Sequence, residues 1–409
     1  MYRLLLTLIV IMTWLLLVAD CDGQQRITTA SPWIQHTIDN QSQGADGARL
    51  ADVNGDGRLD LVTPWEEGGI IRICLHPGTA KVKSAWPSVT VGRVASPEDA
   101  VLVDLDGDGQ LDVVSSCEGK VKTMFVHWAP RDPADHLNSE KWETEPIPAT
   151  QGLQAWMFAM PLDIDGQHGL DLIVSSKGSN GSVGWLQAPS EPRNLSDWKY
   201  HRLLNTGWVM SLIAFDFNED GLQDILVSDR KGAERGIKWL QHPGHGQAVR
   251  GDTWQEHFLG GKDHEVMFID FADVNGDGLR DIAAATHQRE ILLLHQTANT
   301  ERWEASTIPA PHALVNGKSV RIGDIDLDGE ADIVHSTEPN SGPRKPGVTW
   351  IQGAVSAEKT NKVSSISDLK GSKFDLLQLV DVDDDGDLDV ITCEERDNLG
   401  LIWYENPLR

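Results

Sequence analysis

The stretch DVNGDGRLD, Asp52 to Asp60, recurs six more times along the chain. The copies are DLDGDGQLD (Asp104 to Asp112), DIDGQHGLD (Asp163 to Asp171), DFNEDGLQD (Asp216 to Asp224), DVNGDGLRD (Asp273 to Asp281), DIDLDGEAD (Asp324 to Asp332) and DVDDDGDLD (Asp381 to Asp389). They start 51 to 59 residues apart, and each stands ahead of an apolar run. Oxygen side chains at positions 1, 3, 5 and 9 can surround a hard cation that takes roughly six to eight oxygens, and glycine at position 6 permits the turn that returns position 9 to the others. One such stretch reads as a polar turn. Seven in register read as a repeat architecture that binds Ca²⁺.

The expected ligands are Asp52, Asn54, Asp56 and Asp60 in the first loop and Asp104, Asp106, Asp108 and Asp112 in the second. They continue as Asp163, Asp165 and Asp171; Asp216, Asn218, Asp220 and Asp224; Asp273, Asn275, Asp277 and Asp281; Asp324, Asp326, Asp328 and Asp332; and Asp381, Asp383, Asp385 and Asp389. In the third loop Gln167 replaces the position-5 carboxylate and His168 the turn glycine, so about six sites are expected to be good and this one weak or empty.

Around the loops lie two further series of strand-like segments. One opens on tryptophan, as in WIQHTI from Trp33, WPSVTV from Trp86 and WKYHRL from Trp198; the other ends at a turn, as in GIKWLQHPG from Gly236 and GLIWYENP from Gly400. With the strands entering and leaving each loop, the unit has four strands, and no segment shows a helical period. Seven such units predict an all-β, seven-bladed propeller. The seventh unit stops after its third strand, while a lone fourth strand at Trp33 precedes the first unit. The N-terminal strand is therefore expected to close the last blade. Blade six is expected to be irregular between Val355 and Ser372.

The 409 residues, 40% hydrophobic with fifteen tryptophans, suffice for a large core. The formal charge of −27 disfavours nucleic acid and anionic lipid as partners, although positions 1, 3, 5 and 9 of the loops hold 24 aspartates whose charge Ca²⁺ would partly cancel. Arg3 followed by the apolar run from Leu4 to Ala19 reads as an export signal, too short for a membrane span. The expected organisation is a signal over 1–19, a linker over 20–30 and the propeller over 31–409, as a secreted or envelope monomer. A lipid on Cys21 is disfavoured by Asp20 before it. Four cysteines in so long a chain do not form a disulfide framework.

The D-x-[DN]-x-D-G-x-x-D loops on a seven-unit β repeat resemble the FG-GAP or VCBS repeat family, which includes the integrin α-subunit propellers, over nearly all of the mature chain. The resemblance implies a calcium-stapled propeller. The Phe-Gly and Gly-Ala-Pro signatures of integrin strands are absent, so integrin-type partner binding is not implied. Similar-looking propellers occur in secreted lectins, in some polysaccharide lyases and in a sugar dehydratase, and fold alone does not choose among these.

The face opposite the loops is the candidate site. Six residues past each loop's last aspartate stand Glu66, Glu118, Lys177, Arg230, His287, Glu338 and Glu395, all ionisable. Six residues before each first aspartate stand Asp46, Glu98, Met157, Met210, Met267, Lys318 and Asp375, with Trp156 and Trp208 near the first two methionines. The acids segregate to blades six, seven, one and two, and the cations Lys177, Arg230 and His287 to blades three to five. A bipolar cup for a carbohydrate or sugar acid is the expected function. One alternative is a lyase or dehydratase in which His287 is the base while Arg230 and Lys177 neutralise a carboxylate; another is a scaffold for an envelope protein.

Overall fold

The strand that leaves each loop is the most deeply placed element of its repeat. Asp60–Trp65, Asp112–Cys117, Asp224–Asp229, Asp281–Thr286 and Asp389–Glu394 are buried at every residue. Such strands are covered on both faces, which is why they read as continuous apolar runs. The covering comes from neighbouring blades: a single core runs from Met157 and Ile173 through Val209 and Ile225 to Met267, Val320 and Ile333. The computed structural model describes residues 27–28, 31–250, 253–298, 302–311, 316–338, 343–353 and 362–409.

Seven sheets result. The first blade, in order from the channel outward, is Arg49–Ala51, Asp60–Trp65, Ile70–Cys74 and Ser88–Arg93, and the others repeat that antiparallel order. The last blade has Gln378–Val380, Asp389–Glu394 and Gly400–Glu405, and its fourth strand is Ile34–Asp39 from the N-terminal end, with His36 opposite Trp403. This closure removes the open edge that a strand-deficient last blade would present. Asp39, 3% exposed, locks the closing strand to the first blade: its Oδ2 accepts from Arg72 Nε at 2.5 Å.

The tryptophans that open the outermost strands act as loop clasps. The indole N–H of Trp86 donates to Val82 O at 3.0 Å, that of Trp142 to His136 O at 2.9 Å and that of Trp254 to Ala248 O at 3.1 Å. Each ties the incoming chain back before the strand begins.

Blade six departs from four strands. Its outer strand, Lys362–Ser365, carries a fifth, Ile27–Thr28, paired parallel to it. The stretch 20–30, read as linker, therefore includes a strand that extends the sheet. Residues 1–26, with the proposed signal and Cys21, lie outside the described residues, as does 354–361 of blade six. Cys74, Cys117 and Cys393 are buried free thiols. No helix among the described residues is long and apolar enough to cross a membrane.

Candidate functional site

Within the first loop, Asp52 Oδ1 accepts from Gly55 N at 2.8 Å and Asp56 N at 3.1 Å, Asp52 Oδ2 from Gly57 N at 2.9 Å, and Asn54 Oδ1 from Asp56 N at 2.9 Å. Position 6 has positive φ, +84° at Gly57, and so does position 4 in every loop. Glycine meets that second demand in four loops, but Glu219, Leu327 and Asp384 meet it in the others. Position 9 is a latch. Asp60 accepts from Val53 N at 2.9 Å and from His76 N at 2.7 Å, Asp224 from Phe217 N at 3.0 Å and His242 N at 2.7 Å, and Asp389 from Val382 N at 2.9 Å and Asn406 N at 2.8 Å. Each buried carboxylate thus joins its loop to the end of the third strand.

The loops fit a hard cation on two counts. Their donors are all oxygen, and Asp104 Oδ1, Asp326 Oδ1 and Asp383 Oδ1 are buried without a hydrogen-bond donor. Carboxylate oxygens of Asp104, Asp106 and Asp108 lie within 4.8 Å of one another, as do those of Asp163, Asp165 and Asp171 and of Asp324, Asp326 and Asp332. In the third loop His168 takes the glycine's place at φ +63°, and Gln187 Nε2 donates to Asp165 Oδ2 at 2.6 Å, as Gln352 does to Asp326 in the sixth loop. The sequence reading passed over Asp387, position 7 of the last loop, whose side chain is buried beside its acids.

Strand pairing sets the opposite face. In blade three, Ala155 faces Lys177 and Leu162 faces Asp171, so Lys177 lies at the end of the pair remote from the loop. There a cavity of about 210 Å³ is lined by Asp46, Glu66, Glu98, Glu118, Lys177 and Trp208, with Lys318, Lys373 and Asp375 beyond them and Met157, Met210 and Phe268 as apolar surface.

The cations of this cup do not stand apart from the acids. Lys177 Nζ lies 3.1 Å from Glu98 and 2.5 Å from Glu118, Lys318 Nζ is 2.9 Å from Asp375, and Lys373 pairs with Glu395. The expected division into an acidic wall and a cationic wall is therefore corrected: Lys177 and Lys318 reach acids of the adjoining blade, and Lys373 an acid of its own. Among the described residues no cation lies within 4.0 Å of Asp46 or Glu66, whose carboxylates come within 4.8 Å of each other and of Glu98. Burial, more than the neighbouring acids, holds Asp46 and Glu66 above the usual carboxylate range. Burial pushes Glu98 up to about 8 against the pull of Lys177.

Arg230 and His287 come together in an adjoining cluster. Arg230 Nη2 is 3.2 Å from His287 Nε2, Arg230 Nε donates to Glu265 at 3.1 Å, and His287 also meets Glu338 and Asn316. For Glu338, burial acts upward, but the His287 hydrogen bond and the Lys318 charge outweigh it and hold the carboxyl below its usual range. The proposed catalytic trio is thus divided, with Lys177 held by Glu98 and Glu118 and the other two held together elsewhere.

Trp156 is corrected outright. It is 0% exposed, its indole N–H donates to Thr150 O at 3.1 Å, and it cannot meet a ligand. Trp208 does line the cup, but Lys177 and Arg230 both sit 4.7 Å from its ring centroid, so its faces serve cations. Strand alternation explains the difference: Trp156 stands one residue before Met157, whereas Trp208 stands two before Met210, on the same face. The same step back from Met267, Lys318 and Asp375 reaches Glu265, Asn316 and Lys373, the partners that counting at a single offset missed.

A family model described as FG-GAP-like repeat matches residues 52–115 and 238–335, segments that contain the first, second, fifth and sixth loops. No curated protein matches the chain. Among solved structures, it is similar to a chain in the crystal structure of BBS1N in complex with ARL6DN, soaked with lead. The TM-score is 0.51 at 10% identity, over 91% of this chain and 96% of that one. The mercury-soaked form gives the same values. At that identity the likeness is one of fold.

Proposed function

From a seven-bladed propeller that carries FG-GAP-like repeats, we propose an exported, calcium-loaded binding protein whose cup takes a single carbohydrate ring. The observation that carries this reading is the cup itself. Carboxylates and ammonium groups converge there on a small concave space with methionine and phenylalanine beneath, a donor and acceptor array suited to hydroxyls. Its volume of about 210 Å³ is below the roughly 300–1,000 Å³ of pockets that enclose drug-sized ligands, so one ring enters and a chain does not. Because the lysines already pair with acids and Asp46 and Glu66 have no cation beside them, a neutral sugar suits the cup better than a sugar acid. In the loops, positions 1, 3 and 5, with position 9 behind them, would hold Ca²⁺, which would supply charge neutralisation where the aspartates crowd.

Glycan-array binding by the intact protein in calcium is the test. Binding should favour neutral terminal sugars and fall at least about tenfold in Glu66→Gln and Lys177→Met, the loss of a charge-assisted hydrogen bond. An array with no hits, together with capture of a protein partner through the same face, would replace carbohydrate by the scaffold reading. An ultraviolet-absorbing unsaturated product would instead favour a lyase.

A further inference from the structure

Beyond the cup the channel holds a second chamber of about 320 Å³, and Met210, Phe268 and Leu376 line both, forming the wall between them. Three residues ahead of the first, fifth, sixth and seventh loops stand Arg49, Asp270, Arg321 and Gln378, all on innermost strands and all lining this chamber; Ile213 holds the same place in blade four. One side therefore carries two guanidiniums, a carboxylate and a carboxamide, and the other is aliphatic.

The guanidinium donors are incompletely used. Arg49 gives Nε to Asp99 at 3.0 Å, and Arg321 gives Nη1 to Ile269 O at 3.2 Å and to Val320 O at 3.3 Å. Among the described residues, both terminal nitrogens of Arg49, and Nε and Nη2 of Arg321, have no acceptor. Asp270 does not take them: its Oδ1 is 3.9 Å from Arg321 Nη1, outside hydrogen-bond reach, and its Oδ2 accepts from Ile322 N at 2.8 Å. The two arginines also sense each other. Burial and the Arg49 charge hold the Arg321 guanidinium below its usual range against the pull of Asp270.

We propose that this chamber binds a small organic monocarboxylate, its oxyanion held between Arg49 and Arg321 and its short hydrocarbon part against Ile213, Met210 and Leu376. Guanidinium forks match a carboxylate in shape and donor spacing. Asp99 beside Arg49 and Asp270 near Arg321 already offset much of the guanidinium charge, which favours a monoanion over the more highly charged phosphate, and the aliphatic wall gives the acid's tail a place that a bare inorganic ion would not use.

Isothermal titration of the intact protein in calcium with sodium butyrate, and separately with inorganic phosphate, tests the assignment. Butyrate should give a saturable one-to-one heat and raise the melting temperature. Its affinity should drop at least about tenfold in Arg321→Met and in Arg49→Gln, as expected for losing a charged hydrogen bond. Arg49→Gln carries the test alone if Arg321→Met does not fold. No saturable heat in the wild type, unchanged affinity in the arginine variants, or phosphate binding more tightly than butyrate would each overturn it. So would loss of butyrate binding in Lys177→Met, which would place the acid in the cup.

Discussion

Glu98 carries the clearest conflict in the cup. Burial raises its carboxyl, Lys177 opposes, and Glu118 adds to the rise, leaving it at about 8 against an ordinary value of 4.5. Between those values the folded state holds a proton that the unfolded chain has lost, so stability falls as pH rises through the window. In saturating calcium, the melting temperature should decline from about pH 5 to about pH 8, and Glu98→Gln should flatten the decline. A profile of equal slope in the variant would assign the titration elsewhere. At the same scale, Leu327 sits at φ +56° and is 41% exposed in a loop position that is glycine in four of the seven copies. A left-handed residue costs roughly 1–2 kcal/mol, and glycine's extra unfolded entropy returns roughly 0.5–1. Leu327→Gly should therefore stabilise by up to about 1.5 kcal/mol, a rise on the order of 1 °C in a calorimetric melt.

Strands and loops owe their placement to contacts of two kinds, and these were not equally legible. The period, the four-strand unit and the closing strand at Trp33 could be read because loop aspartates and strand-opening tryptophans recur. The latch at position 9 was invisible as such, since a buried carboxylate accepting two backbone N–H groups looks in sequence like one more cation ligand. The partners of Lys177 and Lys318 were hidden for another reason: counting offsets gives the layer of a residue but not which neighbour on the adjoining blade its long side chain reaches. Ile27–Thr28 carried no alternating pattern to announce a fifth, parallel strand. The closing lock offers an element-scale prediction. Arg72, bonded to Asp39, Thr90 and Ser88, would keep a buried charge if its carboxylate were removed. Asp39→Ala should cost about 3 kcal/mol or more and lower the melting temperature by several degrees in a reversible melt. A change within about 0.5 kcal/mol, the usual size for a surface substitution, would deny the lock.

Across the whole molecule, calcium in the acidic loops as proposed would couple folding to cations. Each gathers three or four aspartates at positions 1, 3, 5 and 9, and buried oxygens such as Asp104 Oδ1 lack donors. A site saturated a hundredfold over its dissociation constant adds about 2.7 kcal/mol, so chelating several should lower the melting temperature by many degrees. An unchanged melt in EDTA would remove calcium from the account and leave the propeller standing. A crystal soaked with a panel of monosaccharides and short oligosaccharides shows whether the cup takes sugar. One sugar ring is expected in the cavity bounded by Glu66, Lys177 and Lys318, with any further residues of the glycan outside the mouth. A sugar bound at another face, or a cup that stays free of sugar while the soluble protein binds glycans, would contradict it.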